Sequence, residues 1–254
     1  MAVKTTPISA ERERSLALAA ALVTVSLWAS AFVGIRAASQ QLSPEALALG
    51  RLTIASIALG LLVLARREPL PSRRDLPAIA FVGLFWFALY NIALMEAERR
   101  VDAGTAAMLV NIGPILIAVL AGVFLREGFP RGLLVGCAVA FVGAVVIGSA
   151  TSKHGFEPRW GLSLCLAAAL FYAVAVVAQK PLLTRMSTLQ ITWLACTFGA
   201  LVCLPFAGVF LRQVPHVHAY VIGWMAYLAL GPMALGFLTW GYASYARPLD
   251  GWAR

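Results

Sequence analysis

This sequence contains few charged residues. Only 12% of its 254 residues are Asp, Glu, Lys or Arg, whereas 61% are hydrophobic and the mean hydropathy is +0.85. Soluble domains carry about twice that charged fraction, so the sequence predicts an integral protein of the lipid bilayer. The net charge of +9 does not indicate a nucleic-acid partner, because the basic residues fall mainly in short loops, where they set membrane topology.

Cysteine and histidine are equally sparse. Four cysteines lie inside apolar segments without the spacing of metal ligands, and the three histidines lie in loops. The sequence therefore predicts no metal site, no cofactor and no catalytic residue. No Ser/His pair or His/Asp cluster falls within an apolar segment, so an intramembrane enzyme is the least favoured function.

Long apolar runs are abundant. Short connections between them make neighbouring helices antiparallel, and the expected fold is an all-α, polytopic membrane helix bundle with eight transmembrane helices. The first run contains an Ala-Ser-Ala site like that of a secretory signal, but hydrophobicity continues past it and seven more spans follow. The predicted spans are 16–35, 46–65, 76–95, 103–125, 132–149, 160–179, 189–211 and 219–242.

Acidic residues are missing from all eight predicted spans. Glu96 only borders the third, and Glu127 lies in a loop. This pattern argues against a membrane-buried carboxylate that relays protons. The transport mechanisms that remain are facilitated exchange of substrates, or coupling of transport to an ion through groups that the sequence does not identify.

Lys and Arg are distributed unevenly across the membrane. Thirteen lie on the side of the N-terminus and six on the opposite side, and the twentieth, Arg51, lies inside a span. Because cytoplasmic loops carry the excess of positive charge, the N-terminus is predicted to be cytoplasmic.

The chain also repeats itself. An offset of 144 aligns 27–36 with 171–180, and an offset of 146 aligns 81–97 with 227–243. A repeat unit of five helices crosses the membrane an odd number of times, so its second copy is predicted to be inverted, as in many transporters. The predicted organisation is an N-terminal segment, 1–15, a first five-helix repeat, 16–150, and an incomplete second repeat of three helices, 151–254.

The fourth predicted span has a proline at its middle. Pro114 cannot donate a hydrogen bond to the carbonyl of Val110, so we expect a bend, and the freed carbonyl must be buried in protein or line a wet cavity. Asn111 shares a stripe of small and polar residues with Pro114. Two interpretations stay open: a helix beside a substrate pathway, or a structural kink whose asparagine bonds a neighbour.

Arg51 is a cation that the helix length forces into the membrane. If the second span began after it, about 14 residues would remain, or about 21 Å, which is too short to cross. Its side chain either extends to the outer headgroups or faces the pathway, where it would hold an anionic group such as a carboxylate.

Aromatic and amide side chains deep in the spans are candidates for lining a substrate cavity. Tyr172 joins them because it corresponds to Trp28 under the offset of 144. Trp193 and Trp240 lie near span ends, so we expect interface anchors without a substrate role. The substrate-pathway candidates are Trp28, Arg51, Tyr90, Asn91, Asn111, Pro114 and Tyr172.

Taken in order, these segments resemble the drug/metabolite transporter superfamily, and within it the ten-helix EamA-type transporters. The resemblance implies alternating-access transport of small polar metabolites or amino acids, often export, in a bacterial cytoplasmic (inner) membrane. The matching stretches are LWASAFVGIR, LSPEALALGRLTIAS, NIGPILIAVLAGVFLREGF, GLLVGCAVAFVGAVVIG and YLALGPMALGFLTWGYA.

The chain departs from this family in its helix count. EamA-type transporters have two five-helix halves, whereas here five helices are followed by three, so we expect a C-terminally truncated carrier that either forms a homo-oligomer or is rapidly degraded. The alternative function is a non-transporting membrane remnant or interaction protein. The expected partners are a small-molecule substrate and the lipid bilayer.

Overall fold

The computed structural model describes residues 7–125, 128–129, 131–151 and 159–245, and this part of the chain is helical and contains no β-strand. Two π-helical segments, Gly83–Leu89 and Ala229–Leu235, interrupt spans, and short 3-10 turns cover Leu204–Phe206 and Val214–His216. The α-helices of the described residues are α1 Pro7–Ala38, α2 Pro44–Arg66, α3 Leu76–Val82, α4 Tyr90–Glu98, α5 Ala103–Val110, α6 Gly113–Phe124, α7 Arg131–Thr151, α8 Arg159–Leu183, α9 Thr188–Cys203, α10 Ala207–Gln213, α11 Ala219–Leu228 and α12 Gly236–Tyr245.

Seven stretches of the described residues are long and apolar enough to cross a bilayer. The predicted all-α polytopic membrane bundle is therefore confirmed. The fifth predicted span corresponds to α7, which is not among the seven, so the count of eight stays a prediction. The seven are Arg12–Ala38, Pro44–Arg66, Leu76–Glu98, Gly104–Phe124, Trp160–Leu183, Thr188–His216 and Ala219–Ala243.

The two π-helical segments lie at corresponding places in the chain. Gly83–Leu89 and Ala229–Leu235 are separated by 146 residues, which is the offset that aligns these spans in sequence. In the first, the side-chain nitrogen of Asn91 donates to the carbonyls of Trp86, at 3.0 Å, and Phe87, at 2.9 Å. The side chain thus satisfies backbone acceptors where the helix changes its hydrogen-bond spacing. The division into two repeats remains a prediction that this coincidence supports.

The fourth predicted span is two helices rather than one bent helix. The helix α5 ends at Val110 and α6 begins at Gly113, with Pro114 in its first turn. Proline lacks the N–H that would continue the ladder of α5, but it is tolerated where a new helix starts. The backbone and side-chain nitrogens of Asn111 both donate to the carbonyl of Ala107, at 3.0 and 2.8 Å.

Serine caps fix where α2 and its counterpart α9 begin. Ser43 and Ser187, 144 residues apart, each accept a hydrogen bond from the backbone nitrogen three residues on. Contacts from distant segments hold both caps: Gln213 accepts from the Ser43 backbone nitrogen at 2.9 Å, and the Ser187 hydroxyl donates to Glu68 at 2.7 Å. The start of α2, which carries Arg51 two turns later, is thereby anchored to α10.

Glycines allow the closest helix approach in the core. A Cβ on Gly83 would lie 2.7 Å from Cβ of Phe198, and one on Gly199 would lie 2.9 Å from Cβ of Phe87. The first π-helical segment and α9 therefore pack almost backbone to backbone. Such small-residue contacts drive helix association in lipid, where the hydrophobic effect between helices is absent.

The prediction that no acidic residue falls inside a span is wrong. The third span extends to Glu98, which is only 5% exposed, and the bounds of two other spans include Glu13 and Glu45. The apolar run ends at Met95, but the helix continues because Glu96 pairs with the arginines three and four residues later, on its exposed side. Glu98 lies on the opposite, buried side.

Candidate functional site

One cavity of about 560 Å³ brings together all seven substrate-pathway candidates of the sequence. Its walls come from α1, α2, α4, α8, α12, both π-helical segments and the facing ends of α5 and α6. Its volume falls in the range of small-molecule sites, about 300 to 1,000 Å³. The lining comprises Val25, Trp28, Ala29, Ala31, Phe32, Arg51, Trp86, Phe87, Tyr90, Asn91, Leu94, Val110, Asn111, Pro114, Tyr172, Pro232, Met233, Phe237 and Trp240.

Arg51 is the charged residue of this lining. Its side chain is buried, with 5% exposure, rather than extended to the protein surface. Within the described part of the chain, Nε and Nη1 of its guanidinium have no hydrogen-bond partner. Tyr90, Cys196 and Glu98 are near enough to interact with it electrostatically. The cavity therefore holds a buried cation with unused donors.

Glu98 is the functional candidate that the sequence analysis missed. Both of its carboxylate oxygens are buried and lack a hydrogen-bond partner among the described residues. The signal that could have found it is helical periodicity: Asn91 and Leu94 line the cavity, and Glu98 follows them at positions i+7 and i+4 on the same face. It lies about 10 Å further along the helix than Asn91, outside the cavity lining, and interacts electrostatically with Arg51.

Aromatic rings form a continuous wall along the cavity. Neighbouring rings have centroids 4.9 to 5.9 Å apart and meet at tilted or edge-to-face angles, which are the favoured geometries for aromatic pairs. The wall connects α1 and α12 with α4 and α8. Its rings are, in order, Trp240, Trp28, Phe237, Trp86, Tyr172 and Tyr90.

The polar groups of several lining residues are bound to backbone carbonyls. The indole nitrogen of Trp28 donates to the carbonyl of Pro232 at 3.1 Å, inside the second π-helical segment. Both side-chain donors of Asn91 are used in the same way in the first segment. Two glycines make room for the rings, since a Cβ on Gly236 would lie 2.9 Å from Nε1 of Trp28 and one on Gly113 would lie 2.7 Å from Cδ1 of Tyr172.

The prediction that Trp240 is only an interface anchor is wrong, because its ring lines the cavity 5.6 Å from that of Trp28. Trp193 packs outside the cavity lining, with Nε1 of its indole against Gly60. The offset of 146 could have found two missed lining residues, since it relates Trp86 to Pro232 and Asn91 to Phe237. Within the described residues, no group of three or more His, Cys, Asp or Glu is placed to hold a metal ion.

Comparison with known proteins gives one consistent family. The model of the EamA-like transporter family matches residues 15–149 and 159–245. A probable terminal-alkyne amino-acid exporter of Streptantibioticus cattleyicolor is 37% identical over 231 residues, which are 90% of this chain and 76% of that protein. The uncharacterized transporter YdfC of Bacillus subtilis is 30% identical over 220 residues, which are 87% of this chain and 72% of YdfC.

Similarity to the crystal structure of another protein supports the fold and nothing further. That structure matches with a TM-score of 0.68 at 21% identity, and the match covers 90% of this chain and 78% of that one. The relatives are named as transporters, a class that in general lacks catalytic activity, and the apolar helices embed the chain in a membrane. The chain is thus a multi-pass inner membrane transporter, and it belongs to the EamA-like transporter family.

Proposed function

We propose that this transporter exports small metabolites that carry a carboxylate, amino acids with apolar side chains among them, by alternating access. The observation that carries the proposal is the buried guanidinium of Arg51, which lines the cavity with Nε and Nη1 unpartnered among the described residues. The other six candidates are proposed to contact the substrate from the remaining walls of the cavity; they are Trp28, Tyr90, Asn91, Asn111, Pro114 and Tyr172.

A carboxylate is the group that best satisfies Arg51. The guanidinium presents its donors as a planar fork that matches two carboxylate oxygens, and such charge-assisted pairs are about twice as strong as neutral hydrogen bonds. A buried site strengthens the attraction further, since little water competes for either group. The rigid start of α2, anchored at Ser43, keeps the guanidinium in place.

The rest of the cavity suits an amino acid with an apolar side chain. The aromatic wall offers ring faces to a substrate ammonium, which a cation–π contact stabilises by about 0.5 to 2 kcal/mol. Apolar residues such as Val25, Phe32 and Met233 fill other parts of the lining. The relative that is named as an amino-acid exporter supports both the substrate class and the direction of transport.

The experiment is transport in proteoliposomes that contain the purified chain. We expect counterflow of radiolabelled L-leucine, and of the terminal-alkyne amino acid L-propargylglycine, with leucinamide a poor competitor because it lacks the carboxylate. Arg51→Met should abolish the flux and Arg51→Lys should restore only part of it, since an ammonium has no bidentate fork. Arg66→Met, an exposed arginine of the same helix, is the matched control.

Two outcomes contradict this function. Equal competition by leucinamide would remove the carboxylate from the recognition, and absence of flux with every amino acid offered would favour the alternative of a non-transporting membrane protein. The same preparation tests for the proposed homo-oligomer by its mass in mild detergent.

We also propose that two repeats of opposite orientation, beginning near residues 16 and 151, surround the cavity, with the N-terminus in the cytoplasm. The excess of Lys and Arg on the N-terminal side and the matching π-helical segments support this arrangement. A reporter that is active only in the cytoplasm should function when fused after Arg74. It should be silent when fused after Arg100, and activity there would reverse the orientation.

A further inference from the structure

Glu98 is a buried carboxylate that has no role in the proposed transport cycle. It is 5% exposed, and neither oxygen has a hydrogen-bond partner among the described residues. Acidic neighbours differ from it: Glu96 forms ion pairs with the two arginines that follow it, and Asp102 accepts hydrogen bonds from Thr105 at 2.9 and 2.8 Å. An ionised carboxylate in this position lacks the interactions that normally offset burial.

The titratable and charged groups that face Glu98 come from four helices. Arg36 of α1 and Arg51 of α2 attract its negative charge, while Tyr90 of α4 and Cys165 of α8 also lie within electrostatic range. Arg36 is exposed, so water and headgroups compete for it, whereas Arg51 is buried. Arg51 is therefore the buried positive charge that Glu98 shares with the cavity.

One buried cation cannot neutralise two buried carboxylates. In the empty protein, the charges of Arg51 and Glu98 balance. When a substrate carboxylate binds Arg51 from the cavity, Glu98 loses the greater part of that attraction and becomes an excess negative charge in an apolar surrounding. Uptake of one proton from solution converts it to a neutral carboxyl group and restores the balance.

We propose that Glu98 is a proton-binding site of this transporter, which takes up a proton when a carboxylate occupies the cavity beside Arg51. This inference rests on the proposed function of the cavity. The coupling is reciprocal, so protonation of Glu98 must strengthen carboxylate binding by the same factor. The proton then moves in the same direction as the substrate, and the outward gradient of substrate drives export.

The test is calorimetric titration of the full chain with L-leucine in nanodiscs of phosphatidylethanolamine and phosphatidylglycerol. Titrations in phosphate and in Tris, which differ in ionisation enthalpy, count the protons taken up. We expect uptake that approaches one proton per bound leucine, and a Kd that falls by up to about tenfold for each unit of decrease in pH. Glu98→Gln should still bind leucine, with no proton uptake and a Kd independent of pH.

Two further variants serve as controls. Glu96→Gln removes the exposed acid two residues earlier and should leave proton uptake unchanged, whereas Glu98→Asp keeps a carboxylate and should retain it. Leucine binding without proton uptake between pH 5 and 9 overturns the inference and leaves the proposed function standing. So does equal uptake by Glu98→Gln. The wild-type measurement decides even if that variant does not fold, and equal binding of leucinamide counts instead against the proposed function.

Discussion

Replacement of Arg51 by methionine together with Glu98 by glutamine should make the protein more stable while it removes transport. Two buried donors of the guanidinium, Nε and Nη1, are unpartnered among the described residues. Each unsatisfied donor costs about 1 to 3 kcal/mol, and attraction to Glu98 offsets part of this. Methionine is unbranched and fills irregular gaps, so it takes the volume of the arginine stem without its charge.

The expected size of the stabilisation follows from substitutions of buried ion pairs in other proteins. Replacement of both members of a buried ion pair by uncharged residues stabilises proteins by about 1 to 4 kcal/mol, whereas removal of one member costs about 3 to 5 kcal/mol when the other stays charged. A gain of about 2 kcal/mol raises the melting temperature of a chain of this length by roughly 4 to 8 °C. Arg51→Met alone should be less stable than the double variant, because it leaves the Glu98 carboxylate without its buried counter-charge.

The assay is thermal unfolding in mild detergent, followed by tryptophan fluorescence, with leucine counterflow measured on the same preparations. Leu52→Ala is the matched comparison, because Leu52 is the next residue of α2 and is fully buried in the apolar core. That truncation should lower stability by about 2 to 5 kcal/mol. A loss of similar size in the double variant would refute the reasoning, since it would mean that Arg51 and Glu98 together hold the bundle in place.

Two other substitutions test the site and its supports. Gly236→Ala places a Cβ 2.9 Å from the indole nitrogen of Trp28, so it should weaken leucine transport several-fold in counterflow. Gly223→Ala has open space around its Cβ and should be neutral. Equal effects of the two substitutions would contradict this packing. Partial burial acts to raise the pKa of Asp102, but hydrogen bonds from Thr105 and nearby backbone outweigh it and hold that pKa below its usual value of 3.8. The stability that Asp102 contributes is therefore complete above about pH 4 and is lost as the pH falls through the lowered pKa. Asp102→Ala should lower the free energy of unfolding by about 1 kcal/mol at neutral pH. Asp102→Asn should keep the helix cap and lose only the acid dependence of unfolding.

The lining of the cavity could largely be predicted from the sequence because polar groups are rare in it. In lipid, an arginine or an asparagine inside a span is costly, so Arg51, Asn91 and Asn111 were candidates to face the interior, with extension to the headgroups the alternative for Arg51. The internal repeat then added Tyr172 through its relation to Trp28. Composition and periodicity were enough to place all seven candidates around one cavity, although their roles in transport remain proposals.

Glu98 and the helix interruptions were beyond the same reasoning. Hydropathy ends the predicted third span at Met95, so a carboxylate one turn later falls outside the predicted span. The break after Val110 was read as a bend, because a missing N–H alone does not tell whether a helix kinks or stops. The second π-helical segment contains Pro232, which lacks the N–H that would continue the ladder, but the first contains no proline, so the sequence gives no signal for it.

The interruptions and the chemistry of the cavity are connected. Both π-helical segments and the break between α5 and α6 contribute to the lining, which agrees with the rule that irregular backbone at membrane depth is tolerated only inside protein or beside a cavity. The carbonyls at these places take up the donors of Asn91, Asn111 and Trp28. These three side chains are thereby committed to the fold, whereas Arg51, on the uninterrupted helix α2, retains two unpartnered donors among the described residues. Irregular helices occupy the neutral donors of this cavity and a regular helix carries the unpartnered cationic ones, which is the arrangement that we expect to select a ligand by its negative charge.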